Sequence, residues 1–252
     1  MRYAHAARAT MGARPYQEDS ALVWAPDPNG ENDRLLAVLA DGMGGHAGGA
    51  LASRTVCETF LASYLVSAGD PVRDRLAAAL DAANTAIADK VNEAPQLDGM
   101  GSTLIGAAFG NEGLEWISVG DSPMYLVRRD EIAVLNEDHS LAPALDQLAA
   151  EGKISAAEAR NNPRRHMLRS AVAGDEIEMV DISRRPLVLQ PGDWVVLASD
   201  GIHTLEGDEI VRILKGFADD GPHAVAAALI REVEAARDDY QDNTTVLVVR
   251  VA

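Results

Sequence analysis

An unbroken apolar run that ends on a carboxylate and then breaks into glycine constrains the fold of this chain most strongly. Residues 35–40 are all apolar, which predicts a strand buried on both faces. Asp41 follows where this strand leaves the core, and the next residues are Gly42-Met43-Gly44-Gly45-His46. Glycines let the backbone turn sharply and bring its carbonyls close to whatever Asp41 holds. These residues alone leave two interpretations open: Asp41 starts a Gly-rich turn, or it binds a hard cation such as Mg²⁺ or Mn²⁺.

Composition and charge limit the class of protein. The chain has 252 residues, of which 47% are hydrophobic, so we expect one domain over 1–252 with a sizeable core. The formal net charge of -17 argues against nucleic acid or an anionic membrane as a partner. The single cysteine, Cys57, excludes an internal disulfide. The N-terminus lacks the apolar core of a signal peptide, and no stretch approaches the roughly 20 apolar residues of a membrane span. These features predict a cytoplasmic protein.

Apolar periodicity predicts the order of helices and strands. Two amphipathic helices follow the glycines, one around 56–65 and one over 72–91 that starts with Asp70 as N-cap and Pro71 in its first turn. Short connectors predict an antiparallel sheet from the strands 100–109, 114–119, 124–127 and 132–135. The last third combines a helix capped by Asp208, a second helix over 224–236, and the strands 177–182, 187–189, 194–198 and 244–251.

The segment 138–175, called the flap below, has a different character. It contains short helical patterns, and no carboxylate occurs between Ala159 and Gly174. The basic residues of that stretch are Arg160, Arg164, Arg165, His166 and Arg169. Two interpretations remain open from the residues: a solvated surface that balances acidic neighbours, or a surface that faces the substrate.

Acidic residues recur at the ends of separated strands. These residues are Glu18, Asp19, Asp41, Asp121, Asp200 and Asp242. Held close together, their carboxylates would repel one another unless metal ions neutralised them. Two metal ions sharing one aspartate would lie about 3.5–4 Å apart and activate a water that can attack phosphorus in line. A neighbouring arginine could then hold the phosphoryl oxygens with two hydrogen bonds.

Seven ordered motifs resemble the metal-dependent protein phosphatase family (protein phosphatase 2C) in its bacterial form. They begin at Arg14, Asp41, Gly101, Val119, Asp138, Ser199 and Asp242, and read R-x-x-Q-E-D, D-G-M-G-G-H, G-S-T, V-G-D-S, D-H-S, S-D-G and D-N-x-T. The resemblance covers nearly the whole chain. It implies an α+β fold, a four-layer αββα sandwich of two antiparallel sheets flanked by pairs of antiparallel helices, with the flap as a small subdomain.

The resemblance also implies a metal-ligand set. Asp41 would bridge two Mn²⁺ or Mg²⁺ ions. Glu18 and the carbonyl of Gly42 would hold one ion, and Asp200 and Asp242 would hold the other.

Further roles are implied beside these ligands. Arg14 would bind the phosphate, Asp19 would orient a bound water, and Asp121 would support a third, weaker ion shared with Asp200. The flap would lie beside the active site, which gives Arg160, Arg164 and Arg165 a possible role toward the substrate.

Two positions depart from the family pattern. Met43 occupies the place where animal members have a histidine proposed as general acid, and we expect His46 to stabilise the turn instead. Pro123 occupies the place of the usual arginine after Gly-Asp-Ser, so whatever that arginine anchors must be held in another way.

The function implied by the resemblance is metal-dependent hydrolysis of phosphoserine and phosphothreonine in proteins, by direct attack of a metal-bridging hydroxide. A monomer that opposes a bacterial serine/threonine kinase, and counts that kinase among its substrates, is expected. The alternatives are a pseudophosphatase that binds phosphoproteins without hydrolysing them and a metal-dependent phosphatase for small phosphoesters. The intact acids argue against the pseudophosphatase.

Overall fold

The computed structural model describes residues 1–27, 33–44, 47–67, 69 and 71–252. The N-cap predicted at Asp70 and the turn role predicted for His46 lie outside these residues. Within them, no helix is both long enough and apolar enough to cross a membrane.

The strands and helices follow the predicted order. The strands are β1 (Tyr3–Thr10), β2 (Asp19–Trp24), β3 (Leu35–Met43), β4 (Gly101–Ser102), β5 (Leu104–Gly110), β6 (Gly113–Val119), β7 (Met124–Arg128), β8 (Glu131–Val134), β9 (Asp181–Ile182), β10 (Trp194–Ala198) and β11 (Thr244–Val251). The α-helices are α1 (Ala47–Val66), α2 (Val72–Glu93), α3 (Ala142–Ala150), α4 (Ala156–Arg160), α5 (Gly207–Phe217) and α6 (Pro222–Ala235).

Two antiparallel sheets pack face to face between helices. One sheet has the strand order β1-β11-β10-β7-β8, and the other has β2-β3-β5-β6-β9 with β4 paired to β3. Helices α5 and α6 cover the outer face of the first sheet, and α1 and α2 cover that of the second. A third apolar cluster fills the space between the sheets. The predicted α+β, four-layer sandwich is therefore confirmed.

Strand β3 shows why its apolar run is continuous. Leu36, Val38 and Ala40 pack toward α1 and α2, whereas the alternate residues of 35–39 pack between the two sheets. Both faces of the strand are thus buried, as predicted. The strand does not end at residue 40, however, because residues 42–43 pair with β4.

Several predicted boundaries were wrong for local reasons. The strand predicted at 100–109 is divided at Thr103 into β4 and β5. Of 177–182 only β9 is a strand, because the Met179 N–H and C=O both hydrogen-bond the Ser170 hydroxyl, at 3.0 and 2.9 Å. The segment 187–189 forms only a bridge from Leu187 to Leu114.

Two predicted helix starts shift by one or two residues. Helix α5 has Glu206 as its N-cap, with Asp208 in the first turn. The Glu206 N–H donates to the Glu209 carboxylate at 3.0 Å, which satisfies the backbone at that end. Helix α2 starts at Val72, so Pro71 takes the N-cap position and not the first turn.

Candidate active site

The acidic residues meet at one edge of the sandwich because both sheets end there. Asp19 opens β2 directly opposite Asp41 of β3. Asp200 follows β10, Asp242 precedes β11, and Asp121 follows β6. Strands from two packed sheets thus deliver five aspartates to the same place.

An open cleft of about 770 Å³ lies over this edge. The predicted site residues that line it are Arg14, Glu18, Asp41, Gly42, Asp121, Asp200 and Asp242. Asp19 does not line the cleft, and its carboxylate accepts a hydrogen bond from the Ser199 hydroxyl at 2.7 Å. The structure therefore brings all the predicted ligands to one cleft and places Asp19 behind them.

The electrostatics confirm that these carboxylates crowd one another. Burial, and then the negative charges of Asp19, Asp200, Asp121 and Asp242, raise the pKa of Asp41 well above its usual range.

The pKa values of two neighbouring carboxyls, Asp121 and Asp19, are also raised. Burial raises the pKa of Asp121 to about 7, and the charges of Asp200 and Asp138 add to the rise. Burial likewise raises the pKa of Asp19 to about 6, although hydrogen bonds from Ser199 and Thr245 counteract the rise. Such a site favours whatever neutralises its charge, either protons or cations.

Backbone and hydroxyl groups fix the orientation of Asp41. The Asp41 N–H donates to the Thr103 hydroxyl at 2.9 Å, and the Asp41 carbonyl accepts from the Thr103 N–H at 2.8 Å. The Ser102 hydroxyl donates to the same carbonyl at 2.8 Å. Thr103 Oγ1 lies 2.7 Å from Ser122 Oγ, which follows Asp121. A hydroxyl pair thus connects the two aspartate turns.

Asn243 fixes the position of Glu18 in the same way. Its side-chain oxygen accepts from the Glu18 N–H at 2.7 Å. Its side-chain nitrogen donates to the carbonyls of Met11 and Tyr16, each at 2.9 Å. The loop that carries Arg14 is therefore attached to the strand end that carries Asp242.

Gly42 and Gly49 form a close cradle around Glu18. A Cβ on Gly49 would collide with Glu18 Oε1, and it would lie 2.8 Å from the Gly42 carbonyl oxygen. A Cβ on Gly42 would collide with the Gly49 carbonyl. Only glycine at both positions leaves the Glu18 carboxylate and the Gly42 carbonyl this close together.

The donor set fits divalent ions. Buried oxygens of Glu18 (Oε1), Asp19 (Oδ1) and Asp200 (Oδ1) have no hydrogen-bond partner, although buried carboxylates normally require one. In the described part of the chain, no three acidic, histidine or cysteine side chains close around one point as a complete cage. Mg²⁺ takes one or two carboxylates and keeps several waters, so an open oxygen site of this kind suits it and similar ions.

Arg14 stands at the rim of the cleft in an ion pair. Its Nη2 lies 2.6 Å from Asp242 Oδ2, and the two side chains are 52% and 39% exposed. An exposed pair of this kind contributes little to stability. The guanidinium is therefore accessible to an anion that enters the cleft.

The flap supplies a wall of the cleft through residues 166–171, Ala173 and Asp175, among which His166 and Arg169 are basic. Arg165 points elsewhere: it holds Asp146 with two hydrogen bonds of 2.8 Å each, inside the flap. Arg160 and Arg164 are exposed and do not line the cleft.

Several residues that support or line the site have no role predicted from the sequence. Thr103, Ser199 and Asn243 lie inside the quoted motifs, but their importance comes from partners distant in the chain. His166 and Arg169 belong to the basic stretch of the flap, and no spacing rule separates them from the arginines that point away.

The model of the family described as "Protein phosphatase 2C" matches residues 18–236. The chain belongs to the protein phosphatase 2C family. It is 34% identical over 249 residues to the serine/threonine protein phosphatase PstP of Mycobacterium tuberculosis, covering 98% of this chain and 45% of PstP. It is 28% identical over 246 residues to the serine/threonine phosphatase stp of Listeria innocua, covering 94% of this chain and 90% of that protein.

A solved structure of a serine/threonine protein phosphatase domain matches the whole fold. The catalytic domain of PstP in complex with two manganese ions has a TM-score of 0.79 and 32% sequence identity, over 100% of this chain and 99% of that domain. The present chain spans less than half the length of the full PstP protein.

Both departures from the family pattern lie in or next to the site. Met43 lines the cleft, and its Cε is so close to Gly101 that a Cβ there would lie 2.7 Å away. Pro123 offers its carbonyl to the Ala198 N–H at 3.0 Å. That contact ties the loop after Asp121 to β10 through backbone alone.

Proposed function

We propose that this chain is a metal-dependent serine/threonine protein phosphatase that acts on phosphorylated proteins. The observation that carries the proposal is the group of buried, mutually repelling carboxylates with unpartnered oxygens at the floor of an open cleft, beside an accessible arginine. The likeness to PstP and to the Listeria phosphatase supports the choice of reaction.

The proposed metal ligands are the acids that share the cleft. Asp41 would bridge two ions, Glu18 and the Gly42 carbonyl would hold one, and Asp200 and Asp242 the other. When bound, divalent ions neutralise phosphoryl charge and lower the pKa of a coordinated water. We propose Mn²⁺ or Mg²⁺, since the PstP domain holds manganese and all the donors are oxygens.

The remaining residues act on substrate and water directly. Arg14 exchanges its contact with Asp242 for the phosphoryl oxygens, which a guanidinium can hold in two-point fashion. Asp19, fixed by Ser199, orients a water behind the ligand cluster. The whole chain 1–252 serves as one catalytic domain, with the flap at 138–175, and it acts as a monomer on phosphoproteins that include a serine/threonine kinase.

Replacing ligands without changing their size tests the proposal. Asp41→Asn and Asp200→Asn should abolish Mn²⁺-dependent hydrolysis of a phosphothreonine peptide, because each loses a charge that holds an ion. Circular dichroism should show both variants folded, because the amide relieves the repulsion among buried acids. Near-normal turnover by either folded variant would refute the metal assignment.

The same assay separates the alternative functions. A pseudophosphatase would bind the phosphopeptide but leave it intact with every divalent ion. A small-molecule phosphatase would turn over nucleotides or sugar phosphates faster than the phosphopeptide.

We also propose that Asp121, with Asp200, holds a third and weaker ion and serves protonation of the leaving group. A serine or threonine alkoxide needs a proton as the P–O bond breaks, whereas an aryl phenolate needs far less help. Met43 offers no proton in the cleft. Asp121→Ala should therefore lower kcat for a phosphoserine peptide far more than for an aryl phosphate, both at saturating Mn²⁺. Equal losses would assign Asp121 to the main metal cluster or to the fold.

A further inference from the structure

His139 lies fully buried where the flap leaves the sandwich. It belongs to the motif Asp138-His139-Ser140, which has no part in the proposed metal and phosphate binding. Its imidazole does not line the cleft, and it follows the end of β8 by only a few residues. The position of a fully buried histidine needs a physical explanation.

His139 and Gly120 hold each other through two hydrogen bonds. The His139 backbone N–H donates to the Gly120 carbonyl at 3.1 Å. The Gly120 N–H donates to His139 Nδ1 at 3.2 Å. Nδ1 therefore carries a lone pair, and the neutral ring has its proton on Nε2. Burial lowers the pKa of His139, in agreement with a neutral ring.

The clamped glycine sits directly before Asp121 in a conformation that only glycine accepts easily. Its φ is +102°, and an added Cβ would lie 2.6 Å from the Thr103 methyl group. Glycine is the most flexible residue, so the turn that carries Asp121 depends on its hydrogen bonds to keep this conformation. The N–H and the carbonyl of Gly120 both form their hydrogen bonds with His139.

The backbone of His139 and its neighbours also contacts the part of the flap that lines the cleft. Its carbonyl accepts from the Arg169 N–H at 2.8 Å, and the Leu141 N–H donates to the Met167 carbonyl at 3.1 Å. Ser140 and Leu168 form a bridge between these two contacts. Met167, Leu168 and Arg169 belong to the part of the flap that lines the cleft, so one residue contacts both the Asp121 turn and that wall.

We propose that His139 is a positioning residue that fixes the Asp121 turn against the cleft wall of the flap through its Nδ1 acceptor. Its side chain does not line the cleft, and its hydrogen bonds go to Gly120 and Arg169. The consequence for catalysis rests on the proposed function, because Asp121 and the wall matter to turnover only if the cleft hydrolyses phosphoproteins.

Two substitutions of similar size distinguish the acceptor from the bulk of the ring. In His139→Asn, the amide oxygen can take the place of Nδ1. In His139→Gln, the side chain is polar and equally well tolerated, but its oxygen reaches the place of Nε2. A displacement of catalytic groups by about 1 Å can cost about 100-fold in rate.

We expect His139→Gln to lower kcat for a phosphothreonine peptide by about 10- to 100-fold, with KM changed less than about 2-fold. His139→Asn should keep most of the wild-type kcat. Amide hydrogen exchange at Gly120 should be slow in the wild type and in His139→Asn, and fast in His139→Gln. Equal kcat in both folded variants, or unchanged Gly120 exchange in His139→Gln, would overturn the proposal.

The nitrogen shifts of His139 provide a readout that is independent of activity. In the wild type, NMR should show Nδ1 unprotonated and Nε2 protonated; the reverse tautomer would overturn the proposal. Absence of Mn²⁺-dependent phosphopeptide turnover in the wild type would refute the proposed function instead. The Gly120 exchange and the tautomer would then still decide whether the clamp exists.

Discussion

Removing divalent ions should make the stability of this protein depend on pH in an unusual direction. In an unfolded chain, an aspartate carboxyl titrates with a pKa near 3.9. In the folded, metal-free protein the pKa of Asp121 is about 7, so the folded state keeps a proton that the unfolded chain has lost. Between these two pH values the folded state binds more protons, and the free energy of unfolding therefore falls as pH rises.

The size of this effect follows from the pKa of Asp121 itself. A rise from 3.8 to about 7, at about 1.4 kcal/mol for each tenfold change in proton affinity, amounts to about 4 kcal/mol. That is a large share of the roughly 5–15 kcal/mol that stabilises a typical domain. Asp121→Asn replaces the neutral acid by an amide of the same shape and should remove this contribution.

Urea denaturation of the metal-free protein between pH 4.5 and 8, followed by circular dichroism, measures the effect. Burial lowers the pKa of His139 and His203, so these groups act in the opposite direction below about pH 6.5. Comparing the wild type with Asp121→Asn cancels their contribution. The difference in unfolding free energy between the two proteins should change by about 3 kcal/mol between pH 4.5 and 8, in favour of the variant at high pH, because the unfolded carboxyl is already mostly ionised at pH 4.5.

A difference that stays constant with pH would refute the argument that Asp121 is buried among repelling charges. Saturating Mn²⁺ serves as the control. In the wild type it should restore stability at pH 8, because bound ions take over the neutralising role of the protons.

Three further predictions concern groups around the site. Thr103→Val leaves the buried N–H of Asp41 without an acceptor and should cost about 1–3 kcal/mol in urea denaturation, whereas Thr103→Ser should stay close to the wild type; equal stability of both variants would contradict the assigned bond. Replacing Arg160 and Arg164 together by alanine should raise KM for a phosphoprotein, more strongly at low salt, without changing KM for an aryl phosphate. An unchanged KM for both substrates would show that the two arginines are solvated surface residues. Arg165→Ala should speed hydrogen exchange in α3 and α4 while leaving KM unchanged, because its contacts lie inside the flap; a KM effect alone would assign it to the substrate.

The layers of the fold could be predicted from the chain because burial leaves a pattern in the sequence. Residues 35–40 are apolar at every position, and the structure places them between α1, α2 and the opposite sheet. The acids after such runs were singled out as candidate metal ligands, and the structure places Asp41, Asp121 and Asp200 around one cleft. Continuous apolar strands and the acids at their ends are local signals, so they can be recognised without knowing their partners.

The supporting contacts could not be predicted because they join residues far apart in the chain. Thr103 binds Asp41 across 62 positions, and its hydroxyl gives no local sign of that partner. Arg165 resembles Arg164 in sequence, yet only Arg165 meets Asp146. Which arginine faces solvent depends on how the flap helices turn, and a charge pattern does not contain that information.

The pairing of β1 with β11 has a consequence for synthesis of the chain. Strand β11 lies between β1 and β10, and its register joins Tyr3 to Val251. Strand β1 is therefore synthesised long before its partner β11, and α6, which packs on both strands, lacks part of its support until β11 is made. Pairings of such long range form slowly and leave a nascent chain prone to aggregation. A chain that stalls before Thr244 has Asp200 and Asp242 but lacks the strand between β1 and β10, so the cleft can assemble only after β11 has been synthesised.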